Sequence, residues 1–220
     1  VIRQGIFAVY KPVGPTSNDV LNQIRKITGE RHVGHAGTLD PLAQGILVVG
    51  IGREATKELH YVVESEKEYI AKVRLGMKST TDDEEGEKTS IEVHRPPTRT
   101  DVEEAMGTFV GNILQEAPMY SSIKIGGKEA YKFAREGKKM NLGKRSVEIK
   151  EIEVLAYEWP YLTLKVLTGS GVYIRALARD IGEKLKIGGY LASLERTRVG
   201  SFTKEKAVSI ADLEKSYGVF

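Results

Sequence analysis

The chain has no cysteine, which removes disulfides, thiolate metal sites and a cysteine nucleophile from consideration and fits a reducing compartment. It has no apolar run of membrane-spanning length, and its opening Val1-Ile2-Arg3-Gln4 lacks the apolar core of a signal peptide. A cytoplasmic protein away from the membrane is therefore the expectation. Net charge is also scarce: 33 Lys and Arg against 30 Asp and Glu leave +3, too little for the sum alone to announce a nucleic-acid binder. Internal repeats and low-complexity linkers are absent. What is present is a globular composition, 40% hydrophobic and 29% charged over 220 residues, enough for one large domain or two small ones without covalent staples.

The charge is unevenly placed. From Thr80 to Arg95 six acids (Asp82, Asp83, Glu84, Glu85, Glu87, Glu92) face two bases, whereas Lys124 to Lys150 carries nine bases and only Glu129, Glu136 and Glu148. The basic stretch, with Lys124, Lys128 and Arg135, reads either as a phosphate-contacting surface or as an ordinary solvated face.

Hydrophobic period divides the rest into elements. Gly5 to Lys11 alternates as a strand, and Thr16 with Asp19 forms a capping box for a helix through Val20, Leu21, Ile24 and Ile27 that ends at Gly29. Ile46 to Ile51 and Lys67 to Leu75 read as strands, separated by an acidic loop or hairpin from a helix capped by Thr100 and Glu103 that carries Val102, Met106 and Phe109. Arg145 to Leu155 and Tyr161 to Thr168 form paired strands joined across Trp159-Pro160. A helix through Ile174, Leu177, Ala178, Ile181 and Leu185 puts Arg175 and Arg179 on one face. Leu191 to Val199 returns as strand, and Ser209 with Asp212 opens a last helix. Strands punctuated by single helices, without regular strand-helix alternation, predict an α+β fold with a mixed, mainly antiparallel sheet and flanking helices.

Two short motifs invite chemistry. Gly50-Ile51-Gly52-Arg53-Glu54-Ala55 follows an apolar strand as a dinucleotide fingerprint would, but the next strand ends Arg74-Leu75-Gly76 and offers no acid for a ribose. The second is Gly34-His35-Ala36-Gly37-Thr38-Leu39-Asp40-Pro41, closing on Ala43-x-Gly45-Ile46-Leu47. Its glycines let backbone approach a ligand, and Pro41 pushes Asp40 away from helical geometry. By local pattern alone it is also an Asx-Pro turn bonding its own amides.

This second motif resembles the signature of the tRNA pseudouridine-55 synthases of the TruB family, to which dyskerin is also similar. Lys11-Pro12-x-Gly14-x-Thr16-Ser17, Gln115-x-x-Pro118-x-Tyr120-Ser121-x-x-Lys124, Ser170-Gly171-Val172-Tyr173-Ile174-Arg175 and Leu191-Ala192-Ser193-Leu194-x-Arg196-Thr197 follow the family's other motifs in order. The resemblance implies a pseudouridine synthase fold spanning 1–220, with a basic thumb inserted at about 124–145 that closes on the T-arm of tRNA. It implies Asp40 as the acting carboxylate, Arg175 as the arginine paired with it and Tyr69 as the ring packed on a flipped base. It places Tyr173 and Leu194 in the pocket and His35 in the space the nucleotide vacates. Isomerising uridine requires no cofactor and no metal, so none is expected, and the protein is expected to act as a monomer on tRNA without an obligatory protein partner. The family's usual C-terminal RNA-binding domain is expected to be absent, with weaker tRNA affinity as the consequence. Two further readings are an RNA-binding module that folds tRNA without chemistry, and a subunit of a guide-RNA particle.

Overall fold

The computed structural model describes residues 4–121, 123–138 and 140–218. They divide into two compact units, 1–70 with 194–220, and 71–193. In chain order the first elements are β1 (Gly5–Lys11), α1 (Ser17–Thr28), β2 (Val33–Ala36), β3 (Ala43–Ile51), α2 (Arg53–Val63) and β4 (Lys67–Leu75). Then come β5 (Met77–Ser79), β6 (Lys88–Ser90), α3 (Arg99–Gly107), β7 (Gly111–Glu116), β8 (Lys124–Ile125), β9 (Lys128–Glu129) and α4 (Ala130–Arg135). The remainder is β10 (Lys144–Glu158), β11 (Tyr161–Thr168), α5 (Ile174–Lys184), β12 (Gly189–Val199), β13 (Phe202–Thr203) and α6 (Ile210–Tyr217).

In the first unit β3 is central. Along one edge β1 runs antiparallel to it from Gly5↔Ile51 to Lys11↔Gly45. The other edge is shared by β2, antiparallel from Val33↔Ile51 to Ala36↔Val48, and by β12, parallel at Leu194↔Ala43 and Arg196↔Gly45. Burial on both faces explains the unbroken apolar run Ile46-Leu47-Val48-Val49, each 0% exposed. Ala8, Ala36, Ile46, Val48, Leu59 and Val199 pack into one cluster. Gly45 is indispensable to the parallel contact: it sits at φ 113°, and a Cβ there would lie 2.2 Å from the Arg196 carbonyl oxygen. The capping box of Thr16 and Asp19 forms as the sequence predicts, and Gly29 ends α1 at φ 72°.

In the second unit β4, β11, β10 and β7 are neighbours in that order. β10 is antiparallel to both β11 and β7, so its residues alternate between a buried and an open face as a one-sided sheet requires. Leu162, Leu164 and Val166 of β11 supply the inward parity, with α3 packed on β10 and α5 on both α3 and β7. The Trp159-Pro160 peptide that joins β10 to β11 is cis. The acidic stretch is the β5–β6 hairpin, paired Met77↔Ser90 to Ser79↔Lys88. Around the turn Gly126-Gly127 (φ 56° and 85°), β8 and β9 form a second small hairpin leading into α4, a short helix inside the basic insertion.

Several boundaries differ from the sequence reading: β3, β10 and β12 extend beyond the predicted 46–51, 145–155 and 191–199, and α5 stops short of Leu185. The cap of α3 is Thr98 with Asp101, not Thr100 with Glu103, and Phe109 lies beyond the helix. Both pairs satisfy the capping spacing. Thr98 follows Pro96-Pro97, so the chain turns helical as soon as the proline constraint ends, which leaves Glu103 free to pair with Arg99 Nε at 2.7 Å. The fold is mixed α+β, mainly antiparallel with one parallel pairing, as the patterning predicts.

Candidate functional site

Asp40 lies between β2 and β3, on a segment fixed residue by residue. Gly37 takes φ 86°, and its carbonyl accepts from Arg196 Nη2 at 2.9 Å. Ser17 Oγ, at the start of α1, both accepts from the Leu39 amide (2.8 Å) and donates to the Leu39 carbonyl (2.9 Å). The Asp40 carbonyl accepts from the Ala43 amide at 3.0 Å, and that of Pro41 from Gly14 at 2.8 Å. Lys11 Nζ donates to the Ala43 carbonyl (2.7 Å) and to that of Pro12 (2.9 Å), while Arg196 Nε donates to Ile46 (2.8 Å). The motif residues Lys11, Gly14 and Ser17 thus have a physical reason for their spacing: each bonds the segment that carries Asp40.

The charge around this segment is mainly positive. Lys11 is 0% exposed and Arg196 2%. Burial is the chief influence on both, and each is attracted to the Asp40 carboxylate. Lys11 titrates at about 8, because burial lowers it, Asp40 partly restores it, and Arg196 lowers it further. Lys67, whose Nζ donates to the carbonyls of Val63 and Ser65 at 2.7 and 2.8 Å, is also lowered to about 8, by burial first and Arg196 second. Tyr69 is 6% exposed, and its hydroxyl interacts electrostatically with the Arg196 guanidinium. His35 is lowered by burial and then by Arg196, which keeps the ring neutral at pH 7, and its Nδ1 has no hydrogen-bond partner among the described residues. Leu194 is buried directly opposite Ala43. Asp40, His35, Tyr69 and Leu194 therefore share the first unit.

Arg175 and Tyr173 belong to the second unit. Arg175, on the first turn of α5, is 5% exposed. Its Nη2 donates to the Tyr120 carbonyl at 2.7 Å, and its Nη1 donates to that of Thr81 at 3.2 Å and lies 3.4 Å from Asp83 Oδ2. One turn later Arg179 meets Asp82 and Asp180, both at 2.9 Å, and the Glu116 carbonyl. The acidic hairpin thus supplies counter-ions to α5. Gln115 clasps the Tyr173 backbone through its amide, accepting from Tyr173 N at 2.9 Å and donating to its carbonyl at 3.1 Å, and the Arg145 guanidinium covers the Tyr173 ring at 4.8 Å. The backbone of Lys124, Lys128 and Arg135 is placed in β8, β9 and α4, whereas their side chains lie outside the described residues.

Lys11, Lys67, Asp83, Gln115 and Arg196 were not singled out from sequence as site residues. A signal existed for the three cations. Lys11 shares the inward parity of Val9, Lys67 that of Tyr69, and Arg196 that of Leu194, and a charge on the buried side of a strand requires a reason.

The mixed, mainly antiparallel α+β sheet with flanking helices is the fold of the pseudouridine synthases. Residues 25–174 match the model of the TruB family pseudouridylate synthase N-terminal domain, and residues 175–220 that of the tRNA pseudouridylate synthase B C-terminal domain. The chain is 44% identical to tRNA pseudouridine synthase B of Clostridium novyi, over 95% of its own length and 72% of that protein. It is 43% identical to the protein of that name from Corynebacterium diphtheriae, over 96% and 73%. Among solved structures it is similar to a Cbf5-Nop10-Gar1 complex (TM-score 0.77, 29% identity, 98% of this chain and 55% of that one). It is similar too to an H/ACA RNP bound to a substrate RNA containing 2′-deoxyuridine (TM-score 0.73, 28% identity, 98% and 54%). It spans a little over half of those two solved chains. The chain belongs to the TruB family of pseudouridylate synthases.

Proposed function

We propose that the chain isomerises uridine to pseudouridine in tRNA, at position 55 of the T-loop, with Asp40 as the acting carboxylate. The reaction breaks the C1′–N1 bond, turns the uracil while it stays bound and joins C1′ to C5. The proton displaced from C5 is balanced by one gained at N1, so no electrons are exchanged and no cofactor is needed. A carboxylate serves this chemistry as a nucleophile or as a stabiliser of positive charge on the ribose, and either role needs it ionised and held still. The observation that carries the proposal is the fixation of the Asp40 segment on both sides by buried Lys11, Ser17 and Arg196. Membership of the family and the tRNA in the names of its relatives support the substrate.

The remaining roles follow the family resemblance. Arg175 is the cation proposed to pair with Asp40. The target uridine lies in a folded loop, so flipping it costs a few kcal/mol of stacking. Tyr69 offers a replacement ring, worth about 1–3 kcal/mol per stacked base. Tyr173 and Leu194 line the pocket, and a neutral His35 occupies the vacated space without transferring a proton. Lys124, Lys128 and Arg135, on the thumb of 124–145, bind phosphates of the T-arm. The protein acts in the cytoplasm, as a monomer, on bare tRNA. No helix among the described residues is long and apolar enough to cross a membrane.

The test is incubation with an unmodified tRNA transcript, without cofactor or partner protein, followed by chemical labelling and reverse transcription. The expected result is one pseudouridine, in the T-loop. An unmodified transcript, or modification confined to other loops, overturns the proposal.

A further inference from the structure

Arg196 is an unusual arginine: it is 2% exposed, and among the described residues its guanidinium donates to two backbone carbonyls while Tyr69 and Asp40 act on its charge. Its two carbonyl acceptors, Gly37 and Ile46, stand three residues before and six residues after Asp40. Nη1 lies 3.4 Å from where a Gly37 Cβ would be, an ordinary van der Waals distance, so the left-handed φ of 86° rather than lack of space calls for glycine there. The strand register holds Arg196 itself in place, pairing it with Gly45 at the parallel β3–β12 contact.

We propose that Arg196 is a positioning residue for the reaction: one side chain grips the backbone on both sides of Asp40 and delivers positive charge to its carboxylate from inside the protein. The inference rests on the proposed function of Asp40 and deepens it. A guanidinium suits the task because its planar fork reaches two acceptors at once, which a lysine ammonium at the same place cannot do with the same geometry. Uncompensated burial of so large an ion is costly, and such cost is characteristic of functional sites. The ionisable groups around this position in the unit are Lys11 on β1, His35 on β2, Lys67 and Tyr69 on β4, and Arg196 on β12. Glu64 faces Lys67, and Asp19 of α1 is committed to its own helix cap. Lys11 and Arg196 both interact electrostatically with Asp40.

The experiment compares parent, Arg196→Lys and Arg196→Met in single-turnover pseudouridine formation on a tRNA transcript from pH 5 to 9, with tRNA affinity and melting temperature measured alongside. Arg196→Met is expected to slow the chemical step roughly 100-fold or more and to move the acid limb of its pH profile upward, since a carboxylate deprived of a nearby cation ionises less readily. Arg196→Lys keeps the charge but not the double grip, so a loss of roughly 10-fold with an unmoved acid limb is expected. In both, tRNA affinity stays within about 3-fold of the parent. A rate within 3-fold of the parent for Arg196→Met overturns the inference. So does, for Arg196→Met, whose charge is gone, a rate loss with the parental acid limb, and for either variant a rate loss matched by an equal loss of tRNA binding, because each describes a merely structural arginine. If Arg196→Met does not fold, Arg196→Lys decides: a parental rate overturns the inference, and a slowed step with retained binding and acid limb supports it. Should the parent form no pseudouridine at all, the proposed function fails, which is a different result from any of these.

Discussion

The two units use buried cations in opposite ways. In the second, Arg175 and Arg179 lie against Asp83, Asp82 and Asp180, and the pairs tie the acidic hairpin to α5. In the first, Lys11, Lys67 and Arg196 donate to backbone carbonyls, and the carboxylate that draws on two of them is Asp40. Paired charge ties the hairpin and helix together, though burial still raises Asp82 and Asp180 above their ordinary values. Charge gathered around one carboxylate is expensive, as the lowering of Lys11 and Lys67 to about 8 registers, and is retained where the carboxylate has work to do.

The contrast is broken most severely at Gly45. Gly45→Ala puts a Cβ 2.2 Å from the Arg196 carbonyl at φ 113°, and a loss of about 4 kcal/mol in thermal or urea unfolding is expected from strain and overpacking together. In the second unit, Asp83→Asn removes the carboxylate from a pair whose side chains are 5% and 3% exposed. The expected loss is about 3 kcal/mol, because the guanidinium stays buried. A denaturation midpoint unchanged from the parent would show that the Arg175–Asp83 pair is not structural. Arg179→Lys gives up a fork shared among Asp82, Asp180 and Glu116 on a side chain 24% exposed, and about 1 kcal/mol is expected in the same assay.

The smallest effect is one of pH and, between about pH 8 and 10, belongs to two lysines of the first unit. Lys11 and Lys67 titrate at about 8 when folded, below their ordinary 10.5. Between those values the unfolded chain binds more protons, so the contribution of these groups to stability rises with pH from about 8 to 10. Above pH 10 the sign reverses for Tyr190, pushed up to about 12 chiefly by burial. Melting temperatures at pH 8 and 9.5 for the parent and Lys67→Met sharpen the point: the parent is expected to lose less, or gain more, over that interval than the variant.

Much of this was legible in local pattern. Gly5–Lys11, Lys67–Leu75 and Tyr161–Thr168 are strands at the predicted bounds, and α1 has the predicted caps, because alternation and capping are encoded within a few residues. β2 escaped notice because Val33-Gly34-His35-Ala36 has no apolar alternation, and β7 because Asn112 and Glu116 dilute its two apolar residues. α2 was readable only as a possibility, since it buries Leu59 alone. Asp83 falls in the acidic loop or hairpin that the sequence predicts, but its sequence position assigns it no role. Its burial depends on Arg175, some ninety residues away, and no local spacing reports that. Arg196 and Lys11 were overlooked for a different reason: a charge is exposed by default, and only strand parity marks these two as inward.

The central claim concerns one carboxylate, and Asp40→Asn tests it with the shape of the side chain preserved. Turnover of T-loop uridine is measured under single-turnover conditions beside equilibrium binding of the same tRNA. The account predicts binding within a few-fold of the parent and a rate lowered at least roughly 1,000-fold, as expected when a covalent or charge-stabilising group is removed. Pseudouridine formed by Asp40→Asn at a rate close to the parent's would contradict it.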